Sequence, residues 1–443
     1  MRREYREELA ETVLSMVHTT SAEVLVSSEH SALTRFTRDT IHQNVAKDET
    51  AVSLRIIQGG KMGVARTNRL DRDSLAACVA HASELSHFSP ADPMLGALPL
   101  CPPSATPAGA FDEITASASP QRRANAVSTI FEHARGINAW CAGYVSTSHN
   151  GMTIANSSGV LQSFDGTDAA MNTKMVAQDS TGFAEAYSNS IVSLDAHTIG
   201  ERAASIATRS AAPIAVDPGA WTVILEPAAF GELLTYLGDH FSAQAFDEGS
   251  SFFGRELGRD IFANTLSILD DCEHPLAPSM PFDYEGYQKS RVELVMNGRI
   301  NDIVTDSYYA RKLQRPNTGH ALPAPNAYGP QPTNLVVAAG TKSRNDLIAA
   351  TSRGLLISRF WYIRVVDRRR AIVTGMTRDG TFLIENGKIG HGVKNMRFNV
   401  SIIDALTHCE PAHEQRRTGG YAYSLVVPTA RIDGFTFTSG TDF

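Results

Sequence analysis

Apolar residues recur along this chain with two periods, and the switching between them lays out its elements. Leu9, Val13, Met16 and Val17 fall on one side of a helical projection, with Arg2, Arg3, Arg6 and Glu7 near its start, so the first segment predicts an amphipathic helix. Extended segments follow at residues 22–27 and 33–45, the second through its threonines and its alternation. Gly59-Gly60 separates two strand-like runs and marks a hairpin, because glycine accepts positive φ without steric cost. Residues 70–88 predict a helix capped by Asp71 or Asp73, with Leu75, Val79 and Leu85 on its apolar side. Six prolines between Pro90 and Pro107 make the next stretch a loop. Helices are expected at residues 121–135 and 196–209, on either side of a strand pair that turns at Ser157-Ser158-Gly159.

The segment AAPIAVDPGAWTVILEP changes the pattern. A proline-bearing linker leads into a strand at residues 221–225, and Pro227 opens a helix over 228–237. Short strands and turns dominate after residue 270. Asn297-Gly298 and Asn386-Gly387 are hairpin signals, since type I′ turns need positive φ at both central positions. LVVAAG followed by NDLIAATSRG adds a strand and a helix, and no repeat of 20–50 residues is visible. The fold class is therefore α+β in two parts. Residues 1–212 form an α+β domain with an antiparallel sheet and flanking helices; residues 213–443 form a mostly-β, barrel- or sandwich-like domain with a few helices.

Composition narrows the function classes. The 443 residues carry a net charge of −7, which disfavours a basic nucleic-acid binder. No apolar run reaches the roughly 20 residues that a membrane-spanning helix needs. The first 17 residues are charged from the start and lack a signal-peptide core, so secretion is disfavoured. Cys78, Cys101, Cys141, Cys272 and Cys409 are scattered, odd in number and without a CxxC pair, which points to reduced thiols in a cytosolic protein.

Candidate chemistry is sparse. None of the fourteen histidines begins an HExxH or HExxxH helix, and His413-Glu414 has no second histidine on its helical face. His408, Cys409 and His413 make a small cluster that lacks a third supported ligand. GxSxG and P-loop signatures are absent. Arg364 and the run Arg368-Arg369-Arg370 suit a solvated edge or an interface better than nucleic acid. Carboxylates gather at Asp239, Asp247 and Glu248 near His240, and at Asp283 and Glu285; turn chemistry explains them better than acid–base catalysis.

Several blocks, taken together and in order, resemble the TldD/PmbA family. In the first half these are GKMGVARTNRLD and ANSSGVLQSFDGT. In the second they are VILEPAAFGELL, DEGSSFFGRELGRDI, PFDYEG, ELVMNGRI, TDSYYARKLQRPNTGHA, SRGLLI, TFLIENGKI and VPTARIDGF. The resemblance implies two kinds of chain: TldD-type metallopeptidases with an HExxxH helix and a later cysteine ligand, and TldE/PmbA-type chains that lack the helix motif. Aligned on DEGSSFFGRELG, the motif falls on Leu234 to Asp239, with Thr235 second, and no histidine stands there. Without two histidines a zinc site loses most of its affinity, and without the glutamate its general base. The resemblance thus implies a non-catalytic subunit with no catalytic residues and no metal of its own, His240, Cys409 and His413 being the alternatives. It also implies a cytosolic TldD-type partner that carries zinc, or else a homodimer, and unfolded peptides as substrates. Gly249, Ser250, Ser251, Asn317 and Gly319 are where a peptide backbone could come close. Competing expectations are an autonomous enzyme with an atypical site, and a regulatory peptide binder of the gyrase-modulating kind that the family's older name suggests.

Overall fold

A computed structural model describes residues 1–18, 21–419 and 424–441. The first domain is built from α1 (Arg3–Ser15), β1 (Ala22–Thr37), β2 (Thr40–Gln58), β3 (Lys61–Thr67), α2 (Arg72–Phe88), α3 (Glu113–Ala116), α4 (Pro120–Gly136), β4 (Trp140–Asn156), β5 (Leu161–Val176), β6 (Thr181–Ser188) and α5 (Ala196–Arg209). Its six strands form an antiparallel sheet in the order β3-β2-β1-β4-β5-β6. That order reads the same from either edge, and the domain is a doubled unit: α1-β1-β2-β3-α2 is followed by α4-β4-β5-β6-α5.

The doubling reaches individual side chains. Buried Arg6 of α1 donates to Thr153 Oγ1 on β4 at 3.4 Å, and buried Arg123 of α4 donates to Thr34 Oγ1 on β1 at 3.2 Å. His30 and His149 face each other across the central β1–β4 pair. Each holds a carboxylate, Asp48 at 2.7 Å and Asp165 at 2.9 Å. Gly63 lets β3 approach α2, where an added Cβ would meet Ala82 O at 2.0 Å; Gly182 lets β6 approach α5, where it would meet Ala203 O at 2.1 Å. Two cores result, one around Leu9, Val24, Leu54 and Leu75, the other around Phe36, Ile130, Met171 and Ala203. Equivalent positions lie 117–121 residues apart, far outside the 20–50 residue window in which the sequence shows no repeat.

The local expectations for this domain meet two differences. The extended stretch at 33–45 is broken at Arg38, whose φ is 54°, so it spans a hairpin. Leu85 is exposed, and α2 buries Leu75, Cys78, Ala82 and Ser86 instead. The close approach at Gly63 selects small residues on that helix face, so size and not hydrophobicity decides which side packs. Asp71 does cap α2, accepting from Ser74 N at 2.9 Å.

The second domain contains β7 (Gly219–Leu225), α6 (Pro227–Thr235), α7 (Ala243–Asp247), β8 (Ile268–Asp270), β9 (Val292–Met296), β10 (Arg299–Ile300), α8 (Ser307–Leu313), β11 (Asn334–Val337), α9 (Arg344–Ala349), β12 (Arg353–Asp367), β13 (Ile372–Glu385), β14 (Lys388–Gly392), β15 (Met396–Ser401), α10 (Ile402–Leu406), β16 (Cys409–Thr418) and β17 (Ser424–Gly440). Five of these strands close a ring. β7 pairs with β12, β12 with β13, β13 with β15, β15 with β17, and β17 returns to β7. The domain is thus barrel-like, with β11, β8, β9 and β10 running outward from β17. Phe230, Phe241 and Phe253 share its core with the ring-strand residues Phe360, Phe398 and Phe435. Both Asn-Gly turns have positive φ at both positions.

The face of the first sheet away from its helices packs on the second domain, where Ile154 and Phe164 meet Phe282. Around this small apolar contact the seam is polar. Arg55 reaches Glu285 at 3.1 Å, Lys174 reaches Asp379 at 3.0 Å, and Arg202 reaches Glu226 at 3.3 Å. Arg417 closes on Asp168, and Tyr308 donates to Asp92 at 2.9 Å.

Candidate functional site between the domains

The helix that follows the first barrel strand turns one face toward the other domain. Pro227 fixes the first turn of α6, and Phe230, Leu233 and Leu234 go into the barrel core. The helical repeat then leaves Ala228, Glu232, Thr235 and Tyr236 on one wall of a cleft of about 410 Å³. Tyr144, Glu185 and Tyr187 of the first sheet form the opposite wall, and Arg359 and Trp361 of β12 the end.

Burial sets the chemistry of this cleft. It raises the Glu232 carboxyl to about 7; Arg359 opposes the rise and Glu185 adds to it. Glu185 is raised for the same reason, and Tyr187 donates to its Oε2 at 3.2 Å. Burial also lifts the Tyr144 and Tyr187 phenols, which stay protonated. Arg359 lies over the Phe183 ring at 4.0 Å and the Trp361 ring at 5.2 Å, and reaches Asp379 at 3.1 Å. Near neutral pH the cleft therefore offers phenol and carboxyl donors, a guanidinium and aromatic faces. Those groups suit the hydrogen-bonding of a polar chain.

Zinc does not fit these residues. Among the described residues no histidine or cysteine lines the cleft, and a guanidinium stands at its end. Among the described residues no three His, Cys, Asp or Glu side chains gather in a way that could hold a metal ion.

The sequence-derived candidates are dispersed. Leu234 is in the core, Thr235 faces the cleft, and Asp239 is paired with Arg368 at 3.3 Å. His240 is buried and its ring is pushed down to about 4 by burial; Nδ1 accepts from Phe252 N at 3.2 Å, so it is a neutral core histidine. Cys409 is buried, and burial pushes its thiol well above the usual range. His413 is exposed on β16. Ser251 donates to His240 O at 2.6 Å and caps a short 3₁₀ turn, while Ser250 donates to Ala245 O at 3.3 Å just after Gly249. Asn317 donates to Ser307 Oγ at 3.0 Å, and Gly319 packs against Gln288, whose O would lie 2.4 Å from an added Cβ. None of these five lines the interdomain cleft.

Asp283 accepts from the amides of Glu285 and Tyr287, the turn chemistry expected of it, and from the distant amide of Ala321, each at 2.9 Å, while burial and neighbouring Glu285 hold its carboxyl well above the usual range. Asp247 pairs with Lys312 at 2.6 Å, and Glu248 accepts from Gln244 at 2.9 Å. Glu232 and Arg359 went unnoticed in the sequence. Each is a lone charge in an apolar run, PAAFGELLTYL and GLLISRFWYI, and that isolation is the signal that could have found them. Moving the motif frame three residues back, to Gly231–Tyr236, would also have put a glutamate in second place.

Comparison with known proteins agrees with this architecture. The family model described as the PmbA/TldA metallopeptidase C-terminal domain matches residues 218–439, and that for PmbA/TldA metallopeptidase domain 1 matches residues 22–86. The metalloprotease PmbA of Escherichia coli O157:H7 is 24% identical over 98% of this chain and 97% of its own. A metalloprotease of Methanothermobacter thermautotrophicus is 24% identical over 51% of this chain, which spans 50% of that relative. TldE from Thermococcus kodakarensis superposes with a TM-score of 0.88 at 19% identity, over 98% of this chain and 99% of that one.

Proposed function

Because the chain belongs to the PmbA/TldD family, we propose that it is a TldE/PmbA-type subunit without catalytic activity of its own, working in a cytosolic zinc metallopeptidase complex. The observation that carries this reading is the face of α6. Where a metallopeptidase needs histidines, it presents Glu232, Thr235 and Tyr236 to the cleft. The zinc then belongs to a TldD-type partner with an HExxxH helix. The cleft contributes by holding part of an extended, unfolded peptide through its phenols, carboxyls and Arg359. Five cysteines without a disulfide support the cytosolic location, since a reducing compartment keeps thiols free.

A second reading has one observation in its favour. Glu232, raised to about 7 inside the cleft, is poised for proton transfer near neutral pH, as an atypical enzyme would require.

Metal analysis and peptide hydrolysis separate the two. The purified chain is expected to hold less than one zinc per chain and to cleave no unfolded peptide. Adding the HExxxH-bearing chain from the same genome should give chelator-sensitive hydrolysis. Chelator-sensitive cleavage by the isolated chain would refute the subunit reading. Chelator-insensitive cleavage that disappears in Glu232→Gln would establish the second.

A further inference from the structure

The outer half of β12 carries four large apolar side chains that are largely uncovered. Trp361, Tyr362, Val365 and Val366 are 46%, 61%, 51% and 56% exposed within six residues of one strand. Single exposed apolar residues are ordinary, but a contiguous group marks an interaction surface.

The backbone here does not invite sheet extension. β12 pairs with β7 only through Leu355–Ile357. Beyond that its ladder with β13 is interrupted between Ile357 and Arg359, between Trp361 and Arg364, and between Val365 and Asp367. Tyr362 sits at φ 57°. Such bulges turn side chains outward and guard an edge against a further strand. What the stretch offers is therefore a side-chain surface.

Its charge is one-sided. Arg364 lies over the Tyr362 ring at 4.1 Å and Arg378 over the Trp361 ring at 5.5 Å. Arg368, Arg369 and Arg370 are exposed at the strand's end, where Asp239 pairs with Arg368, Asp367 accepts from Arg370 N and Asp404 stands beyond Ser401, so arginines outnumber these carboxylates in a chain of net charge −7.

We propose that this stretch is the docking surface for a protein chain of different sequence, whose contact face has an apolar centre rimmed by carboxylates. The charge argues against a second copy. A two-fold contact would set the patch against itself and bring two arginine clusters together, and a head-to-tail contact that fails to close would grow without limit. Aromatic and arginine side chains are also the types that dominate binding energy at interfaces. On the subunit reading, on which this inference rests, the occupant is the HExxxH-bearing partner. Trp361 also lines the interdomain cleft, so that partner would sit beside its mouth.

Binding of the HExxxH-bearing chain from the same genome to the immobilised full chain tests this. Tyr362→Ser with Val365→Ser, both outside the cleft, should weaken binding about tenfold or more without moving the unfolding midpoint. Arg369→Glu, fully on the surface, serves as the second variant should the first fold poorly, and should also weaken binding. Wild-type affinity should fall as salt rises from about 50 to about 300 mM. Wild-type affinity in both variants, or an affinity indifferent to salt, would overturn the surface assignment and leave the subunit reading intact. A wild-type dimer that Tyr362→Ser with Val365→Ser turns into monomers would also overturn it, since the occupant would be a second copy. No binding by the wild-type chain would instead overturn the subunit reading itself.

Discussion

Arg359 is the residue through which the two domains and the cleft meet. Its guanidinium lies over Phe183 of the first domain and reaches Asp379 of the second. Asp379 is wholly buried, sits at φ 53° and also accepts from Thr181 Oγ1 at 2.6 Å. Removing one partner of such a group leaves a buried charge short of compensation. Arg359→Ala should cost about 3 kcal/mol in urea unfolding. Arg359→Lys should recover only part of that, because an ammonium has no planar face to set against an aromatic ring. Full recovery by lysine would show that charge alone matters at this site. The sequence could not announce this role, since Phe183, Arg359 and Asp379 meet only through the tertiary fold. The isolation of Glu232 in its apolar run could single the residue out but not its raised carboxyl, which follows from burial against a sheet more than 40 residues earlier in the chain.

Elements whose geometry is set within a few residues were legible in advance. Gly59-Gly60, Asn297-Gly298 and Asn386-Gly387 turn where their positive φ predicts, and Asp71 caps its helix. Ring closure was not legible, because nothing local in residues 219–225 specifies pairing with β12 on one side and β17 on the other. The doubled first domain escaped notice for a similar reason: its copies share a packing plan with little identity. That plan has a measurable corollary. Gly63→Ala and Gly182→Ala each drive a methyl into a helix backbone, and each should cost about 1–3 kcal/mol. Gly249→Ala, with open space around it and φ 65°, should cost about 1 kcal/mol through backbone strain alone. Denaturant midpoints would decide the matter; equal losses at Gly249 and Gly63 would remove close packing as the cause.

For the whole molecule the seam at Arg55 makes stability depend on pH. One guanidinium serves Glu23 at 2.7 Å and Glu285 at 3.1 Å, with Asp306 and Asp283 close by. Burial raises Glu23 to about 7 and, with help from Glu285, Asp306 to about 6. Carboxyls that titrate higher in the folded than in the unfolded chain bind extra protons when folded. Their stabilisation is complete below the unfolded values, 4.5 for Glu23 and 3.8 for Asp306, and is lost as pH climbs through about 6 and about 7. His240, pushed down to about 4, works in the opposite sense, and its contribution fades as pH falls below about 6.5. Glu23→Gln should therefore flatten the decline in unfolding midpoint between about pH 5 and pH 8. Parallel wild-type and variant curves would exclude Glu23 as its source.

The five-strand ring, finally, bears on how the protein is made. β7 finds one of its two neighbours in β17, roughly 200 residues later in the chain. At about 5–20 residues per second, a ribosome leaves that edge open for about 10–40 seconds after β7 emerges. Val223 and Leu225, buried in the finished barrel, wait exposed meanwhile. The first sheet, whose strands pair mostly with sequence neighbours, is finished by then. The nascent chain thus spends its most vulnerable interval as a completed domain tethered to an unsealed one, the state in which a chaperone would find most to hold.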